Sequence, residues 1–184
     1  MAKETQLQVG KWKNKRPNIE EWINHVFDCV LREQALEFAE WVREMGFKHK
    51  IHASTNNGHN VFYNKAYMCK ILINKEKDDT PAYWTIEPCL SNIREYESVI
   101  KSEGLADLPW KPKYCIHKNE LDKTKINNTC NNCPVKGVER VVFGEEFTQC
   151  CVIFPKIKDP NEAEINRIKR LLELEKMARD DHKI

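Results

Sequence analysis

The thiols between Cys115 and Cys151 form the pattern in this 184-residue chain that most directly indicates chemistry. Cys130 and Cys133 make a Cys-x-x-Cys pair, and further thiols lie about 15 to 20 residues away on either side. This spacing is typical of a four-ligand metal site, most often a zinc site, because zinc prefers four sulfur or nitrogen ligands in a tetrahedron. The pattern predicts a bound metal and indicates no reaction.

Five candidates compete for the four places around such an ion. They are the two thiols of the Cys-x-x-Cys turn, Cys115, His117 and one member of the adjacent pair Cys150 and Cys151. Successive residues of a strand point to opposite faces, so at most one member of that pair is expected to reach a shared site. His117 lies two residues after Cys115 and could replace it or stand behind it as a supporting group.

The other cysteines have a simpler interpretation. Reduced cysteines often pack as small hydrophobic side chains, and this suits Cys29, Cys69 and Cys89, which fall in predicted helix or strand segments. It does not suit the Cys-x-x-Cys pair, which lies in a polar loop rich in asparagine. A redox role for the pair is not favoured, because redox pairs normally begin a helix inside a βαβ unit.

Composition places the chain among soluble globular proteins. Charged residues make up 32%, hydrophobic residues 41%, and the formal net charge is only +2. The N-terminus lacks the apolar core of a signal peptide, and no apolar run approaches the roughly 20 residues that span a bilayer. A cytoplasmic protein with no membrane partner is therefore expected, in a compartment where thiols stay reduced.

The first 16 residues hold five lysines or arginines against a single glutamate. Residues 1–17 are predicted to be a flexible basic arm, and residues 18–184 a single domain with a Cys-rich knuckle at 115–151. Apolar spacing predicts helices near 18–31, 33–45, 91–103 and 160–179.

Two helix starts carry strong local signals. Asn18 and Glu21 have the spacing of a capping box, and Asp159-Pro160-Asn161-Glu162 combines an N-cap, an N1 proline and an acidic N3 residue. Between the helices, alternating segments and turns such as Asn64-Lys65 predict an antiparallel sheet of about six strands. Residues 109–112 are expected to be a stiff connector, and residues 138–143 and 147–154 are expected to form a hairpin that turns at Gly144-Glu145. The expected fold class is α+β, with two N-terminal helices, one middle helix, a C-terminal helix and a metal-stapled Cys-rich loop.

Aromatic residues supply one candidate ligand site. Most are expected in the core, but Tyr63, Tyr67, Trp84 and Glu87 are predicted to line a pocket with an apolar body and polar tips, which would suit a small molecule. The histidines at 49, 52 and 59 are expected to have surface or cross-strand roles, because alternation puts His49 and His52 on opposite faces.

A resemblance to known sequences adds to this interpretation. Gly144-Glu145-Glu146-Phe147, Cys151 and the helix start at 159–162 follow a Cys-x-x-Cys knuckle, and this order resembles a set of small, uncharacterised bacterial proteins of Firmicute type. The resemblance covers mainly residues 130–176. It implies that Cys151, not Cys150, is the partner of the knuckle, and it carries no known activity. Residues 62–86 also look like small α+β ligand-binding modules that stand alone or are linked to regulators.

Two functions follow from these patterns. The first is a binding module, stapled by zinc, that recognises a small molecule or a protein. The alternative is a nucleic-acid-binding protein that uses the basic arm and the lysine-rich knuckle, since zinc knuckles do bind nucleic acids. The first is favoured here, because lysine and arginine exceed aspartate and glutamate by only two residues, 30 against 28. No assembled set of catalytic residues indicates an enzyme.

Metal content tests the assignment of Cys115, Cys130, Cys133 and Cys151 as zinc ligands. Cys130→Ser or Cys133→Ser removes a soft ligand, so bound zinc measured by elemental analysis should fall and the fold should lose stability. Cys69→Ser is the control and should leave the metal content unchanged. Within the adjacent pair, Cys151→Ser should lose the ion and Cys150→Ser should retain it. Equal metal content in these last two variants would contradict the assignment.

Overall fold

The computed structural model describes residues 17–51, 57–75, 80–114 and 138–181. They form an α+β fold divided into two compact units. The N-terminal unit holds the described residues up to Ile86 together with Lys158–Glu162, and the C-terminal unit holds the remainder. Within these described ranges, no helix combines the length and apolar character needed to cross a membrane.

Helices and strands follow one another in an order close to the predicted one. The described residues form four α-helices, α1 (Ile19–Val26), α2 (Cys29–Glu44), α3 (Glu97–Ser102) and α4 (Glu162–Asp181). The eight described strands are β1 (Lys48–Ile51), β2 (Gly58–Tyr63), β3 (Ala66–Asn74), β4 (Tyr83–Pro88), β5 (Trp110–Tyr114), β6 (Val138–Val142), β7 (Glu145–Pro155) and β8 (Ile157–Lys158).

The first helix begins with the predicted capping box. Asn18 Oδ1 accepts a hydrogen bond from the backbone N–H of Glu21 at 2.7 Å, and Glu21 Oε2 accepts one from the backbone N–H of Asn18 at 3.0 Å. The break between α1 and α2 falls at Phe27 and Asp28, a few residues before residue 32, which separates the two predicted helices. Phe27 is extended and only 2% exposed, so burial of its ring sets the position of the break.

A five-stranded antiparallel sheet has the strand order β1-β2-β3-β4-β8. Asn64 and Lys65 make the predicted tight turn between β2 and β3, and both have positive φ, at 47° and 72°. Met68 is an extra residue in β3, because Val61 pairs with Cys69 while Phe62 pairs with Tyr67. This bulge bends β3 and displaces the pairing beyond it by one residue.

Aromatic rings fill the space between α2 and the sheet. Phe38 contacts Trp84 on β4 and Trp41 on its own helix, with ring centroids 6.0 and 5.8 Å apart. Trp41 contacts Phe47, which in turn contacts Tyr63 on β2, at 6.0 and 5.7 Å. These five rings form a continuous aromatic row that holds α2 against one face of the sheet.

The C-terminal unit contains a second sheet with the order β5-β7-β6, whereas the sequence predicts a single sheet of about six strands. The segment 109–112, expected to be a stiff connector, contributes strand β5, and Pro112 is tolerated there because β5 lies at the sheet edge. The predicted hairpin between β6 and β7 is confirmed. It turns at Phe143 and Gly144, which have φ of 55° and 85°, one residue before the predicted turn.

The C-terminal helix begins at Glu162, two residues later than the predicted start. The reason is the role of Asp159, which has a φ of 45°. Its carboxylate accepts a hydrogen bond from the backbone N–H of Trp84, and its own N–H donates to the carbonyl of Trp84, both at 2.9 Å. Asp159 therefore anchors the chain to β4 instead of capping the helix.

The middle helical segment is broken. A 3₁₀ turn at Ile93–Glu95 precedes α3, and Gly104, with a φ of 67°, precedes a second 3₁₀ turn at Leu105–Asp107. A buried carboxylate on α4 holds the start of this segment. Glu175 is fully buried and accepts hydrogen bonds from the N–H of Asn92 at 3.0 Å and the hydroxyl of Tyr96 at 2.5 Å.

Arg179 completes this group of contacts. Its guanidinium lies 2.7 Å from Glu175 Oε1 and donates to the hydroxyl of Ser91 at 3.1 Å. Burial and the Glu175 carboxylate both raise the pKa of Tyr96, so the phenol stays protonated and keeps donating. The carboxylate of Glu175 therefore fixes residues 91–96 to the last turns of α4.

Removing this carboxylate should destabilise the protein strongly. Glu175→Ala leaves Arg179 and the donors of residues 92 and 96 without their acceptor, so urea unfolding should show a loss of about 3 kcal/mol. Glu173→Ala is the matched control on the same helix, because its contact with Arg170 is partly exposed and 3.5 Å long. It should cost less than about 0.5 kcal/mol. Equal losses in the two variants would contradict this role.

Candidate functional site

The five-stranded sheet presents two faces of different chemistry. On the face covered by α1 and α2, Val61, Cys69, Ile71 and Ile73 are buried, and Trp22 Nε1 on α1 donates to the carbonyl of Ile73 at 3.3 Å. Neighbouring strand residues alternate between faces, so the residues between these point to the opposite side. The residues of the candidate site lie on that opposite face.

Phe62 and Tyr67 form the centre of the second face. They are paired across β2 and β3, and their ring centroids lie 5.8 Å apart. Lys50 on β1 places its Nζ 5.4 Å from the centroid of Phe62. Both rings are partly exposed. The strand pairing adds Lys48 opposite Phe62, and places Asn60 between Lys50 and Lys70.

A second aromatic and lysine pair lies further across the sheet. Trp84 contacts Phe38 on the covered face, so the preceding residue, Tyr83, points to the second face. Lys158 on β8 holds its Nζ 4.2 Å from the centroid of Tyr83. The residues of this second face form what we call the basic-aromatic face: Lys48, Lys50, Phe62, Tyr67, Lys70, Tyr83 and Lys158.

Over β1 to β3, charge on this face has one sign. Strands β1 to β3 contain three lysines and no aspartate or glutamate. Lys48, Lys50 and Lys158 are exposed, while Lys70 and the three aromatic rings are half-buried. Each lysine-to-ring contact contributes about 0.5–1 kcal/mol at an exposed site, and the rings still retain exposed area. Thr85 lies two residues after Tyr83 on the same face and is buried, so the exposed part of this face covers β1 to β3 and ends at the start of β4.

The four residues predicted to line a small-molecule pocket are divided between the two faces. Tyr63 and Trp84 occupy opposite ends of the aromatic row on the covered face. Tyr67 belongs to the basic-aromatic face, and Glu87 forms an ion pair with Lys156 at 2.9 Å. The structure therefore places Tyr63 and Trp84 on the face opposite to Tyr67, so these three aromatic side chains do not line one pocket.

The predicted metal ligands Cys115, His117, Cys130 and Cys133 lie outside the described residues, as does most of the basic arm. Cys150 and Cys151 lie in β7, the central strand of the second sheet, where only the backbone is described. Among the side chains that the structure describes, no group of three or more His, Cys, Asp or Glu residues could hold a metal ion.

The backbone pairing nevertheless brings both ends of residues 115–137, called the Cys-rich segment here, next to β7. Tyr114, the last described residue before this segment, pairs with Cys150. Val138, the first described residue after it, also pairs with Cys150 on the other side of β7. The chain therefore leaves and rejoins the sheet next to the two thiols that the sequence analysis considered as partners of the knuckle.

Sequence reasoning missed the basic-aromatic face. A signal was present, because Lys48 and Lys50 alternate with His49 and Ile51, which indicates one cationic and one buried face of β1. The pairing of Lys48 with Phe62 joins residues 14 positions apart, so it could not be deduced from the local pattern of β1.

Comparisons of the chain with protein-family models, with curated proteins and with solved structures found no match. Function must therefore be argued from the geometry of the chain itself.

Two adjacent residues of β3 test the assignment of the sheet faces. Ile71 is buried under the helices, whereas Leu72 is half-buried on the opposite face, and the two side chains contain the same number of carbon atoms. Ile71→Ala should cost about 3 kcal/mol in urea unfolding, and Leu72→Ala about 1 kcal/mol. A larger loss for Leu72→Ala would show that the faces are assigned the wrong way round.

Proposed function

We propose that the N-terminal unit binds single-stranded nucleic acid on its basic-aromatic face. One observation carries the proposal: partly exposed aromatic rings alternate with lysines on one face of an antiparallel sheet whose other face is covered by helices. Bases of single strands stack on such rings, and phosphates pair with the neighbouring ammonium groups.

The arrangement of charges and rings favours a single strand over a duplex. Phe62 and Tyr67 offer ring surface at the centre of β2 and β3, and Tyr83 offers more on β4. A base can use this surface only when its own face is exposed, which a duplex prevents. Lysine ammonium groups act as point charges on a flexible stem, so they suit a backbone whose path is not fixed.

A small molecule or protein ligand, favoured by the sequence analysis, has weaker support. The proposed pocket residues lie on two faces of the sheet, and an acidic peptide would satisfy the lysines without using the rings. The basic arm at 1–17 and the lysines of the Cys-rich segment carry the same sign of charge as the face. They are consistent with an anionic partner.

We also propose that zinc staples the Cys-rich segment to β7. Supporting this are the soft thiolate ligands that zinc prefers and the pairing of both flanking strands with Cys150. The ligands would be Cys115, Cys130, Cys133 and Cys151, as the spacing and the resemblance indicate. A closed site of four protein ligands would stabilise the C-terminal unit and leave no coordination position for a substrate.

Oligonucleotide binding tests the proposed function. Fluorescence anisotropy would be recorded with labelled 12-nucleotide oligo(U) and oligo(dT) at several salt concentrations. Affinity should fall as salt rises, with a slope of about −0.7 for each phosphate contacted. Comparing the two oligonucleotides distinguishes RNA from DNA as the partner. If neither binds, the proposal is wrong.

Variants then separate stacking from charge. Tyr67→Leu and Tyr83→Leu each remove a ring, and each should weaken binding about 5- to 150-fold with little change in the salt slope. Lys50→Ala should lower the slope by about 0.7. Lys101→Ala, which removes a lysine of the C-terminal unit, is the control and should bind like the unaltered protein.

Polyglutamate serves as a second polyanion in the same assay. Equal competition by polyglutamate, together with unchanged binding in both tyrosine variants, would overturn the nucleic-acid proposal in favour of an acidic protein partner. Loss of binding in the tyrosine variants with poor competition by polyglutamate would support it.

A further inference from the structure

Two histidines lie next to each other under the helices of the N-terminal unit. His49 pairs with Val61 and His59 pairs with Ile51, so the two imidazoles are diagonal neighbours on the covered face of β1 and β2. His59 is only 2% exposed, and His49 is half-buried with both of its ring nitrogens shielded from solvent. A cross-strand relation was one expectation from the sequence, but a buried position was not.

These rings have few polar partners. Nε2 of His59 and both ring nitrogens of His49 are buried without a well-formed hydrogen bond among the described residues. The carbonyl of Ala39 on α2 lies near His49 and favours its protonated form, but it does not reach hydrogen-bonding geometry. Buried polar atoms are usually satisfied, so three unpaired nitrogens in one place require an explanation.

Charged groups face the pair from both helices. Glu20 on α1 and Arg43 on α2 both influence His49, and Glu20 also influences His59. Glu20 and Arg43 form an ion pair with each other at 3.4 Å, so this carboxylate is already partly neutralised. On β3 the flanking residues in register are Ile71 and the thiol of Cys69.

Burial lowers the pKa of both histidines. For His59 it combines with the nearby His49 to lower the pKa to about 4. The pKa of His49 is also lowered, mainly by burial, although Glu20 acts in the opposite direction. Both rings are therefore neutral at pH 7, and the helices pack on an uncharged surface.

We propose that the His49–His59 pair is an acid-sensitive switch that keeps α1 and α2 packed on the sheet while both imidazoles are neutral and loosens them when either takes a proton. A proton on one ring places an imidazolium beneath the helices, next to a second imidazole and near Arg43. The one nearby carboxylate, Glu20, is shared with that arginine. Opening of the helices lets the charged ring reach water. This inference does not depend on nucleic-acid binding.

The direction of the pH effect follows from the lowered pKa values. An unfolded histidine binds a proton near pH 6.5, whereas the folded His59 does so only near pH 4. Between these values the opened state binds more protons, so acid favours it. His59 therefore makes its full contribution to the stability of the closed state above about pH 6.5. This contribution falls as the pH drops towards 4, and it does not fall further below pH 4.

Hydrogen exchange of the full chain tests the switch. Protection factors, corrected for intrinsic exchange rates, would be compared at pH 7.5 and 4.5 by mass spectrometry. Peptides from α1 and α2 should lose protection about 10- to 100-fold, and peptides from α4 should lose less. The double variant His49→Gln/His59→Gln should remove this extra loss. His25→Gln, a histidine of α1 outside the pair, is the control and should retain it.

The proposal fails if the double variant shows the same loss of protection as the unaltered protein. It also fails if α1 and α2 stay protected at pH 4.5. Should the double variant not fold, NMR titration of the histidine ring signals in the unaltered protein decides the matter. Two lowered pKa values for His49 and His59 would support the switch, and ordinary values near 6.5 for both would overturn it.

Discussion

Coverage of one face of the five-stranded sheet by α1 and α2 is the constraint on which the rest of the N-terminal unit depends. The aromatic row from Trp84 through Phe38 to Tyr63 fixes α2 over that face. Burial of these rings away from water stabilises the N-terminal unit. Because strand residues alternate, this choice of buried face also determines which residues point to the opposite side. The lysines of β1 and the rings of Phe62, Tyr67 and Tyr83 are placed there by this constraint.

The same alternation explains why two histidines lie on the covered face of the sheet. His49 lies between Lys48 and Lys50, and His59 lies between Gly58 and Asn60, so each must point to the covered face if its neighbours point away. The helices therefore close over two titratable rings, and the packing that exposes the basic-aromatic face is also the packing that acid weakens. In the C-terminal unit the corresponding buried group is Glu175, but its donors satisfy it fully.

Local sequence signals predicted much of the fold. The capping box at Asn18, the turn at Asn64-Lys65 and the hairpin after Val138 were predicted because each depends on residues within a few positions of one another. Asp159 shows the limit of such signals. Its pattern was that of an N-cap, but a distant backbone group, the N–H of Trp84, takes its carboxylate instead.

The candidate site needed information that no local pattern contains. The pairing of β5 with β7 and the contact of Lys158 with Tyr83 both join distant segments. The aromatic residues predicted to line one pocket are split between two faces for the same reason, because strand pairing and the helix cover determine which way each side chain points. The zinc site stays a prediction, supported by spacing and by the two strands that meet Cys150.

Binding on the basic-aromatic face is tested most directly by an NMR map of the surface that binds oligo(U). Backbone amide signals of the isotopically labelled full chain would be followed as the oligonucleotide is added. Shifts should concentrate in β1 to β3, at Tyr83 and at Lys158, and α4 should remain unaffected. Shifts confined to the C-terminal unit, with the strands unchanged, would contradict binding on this face.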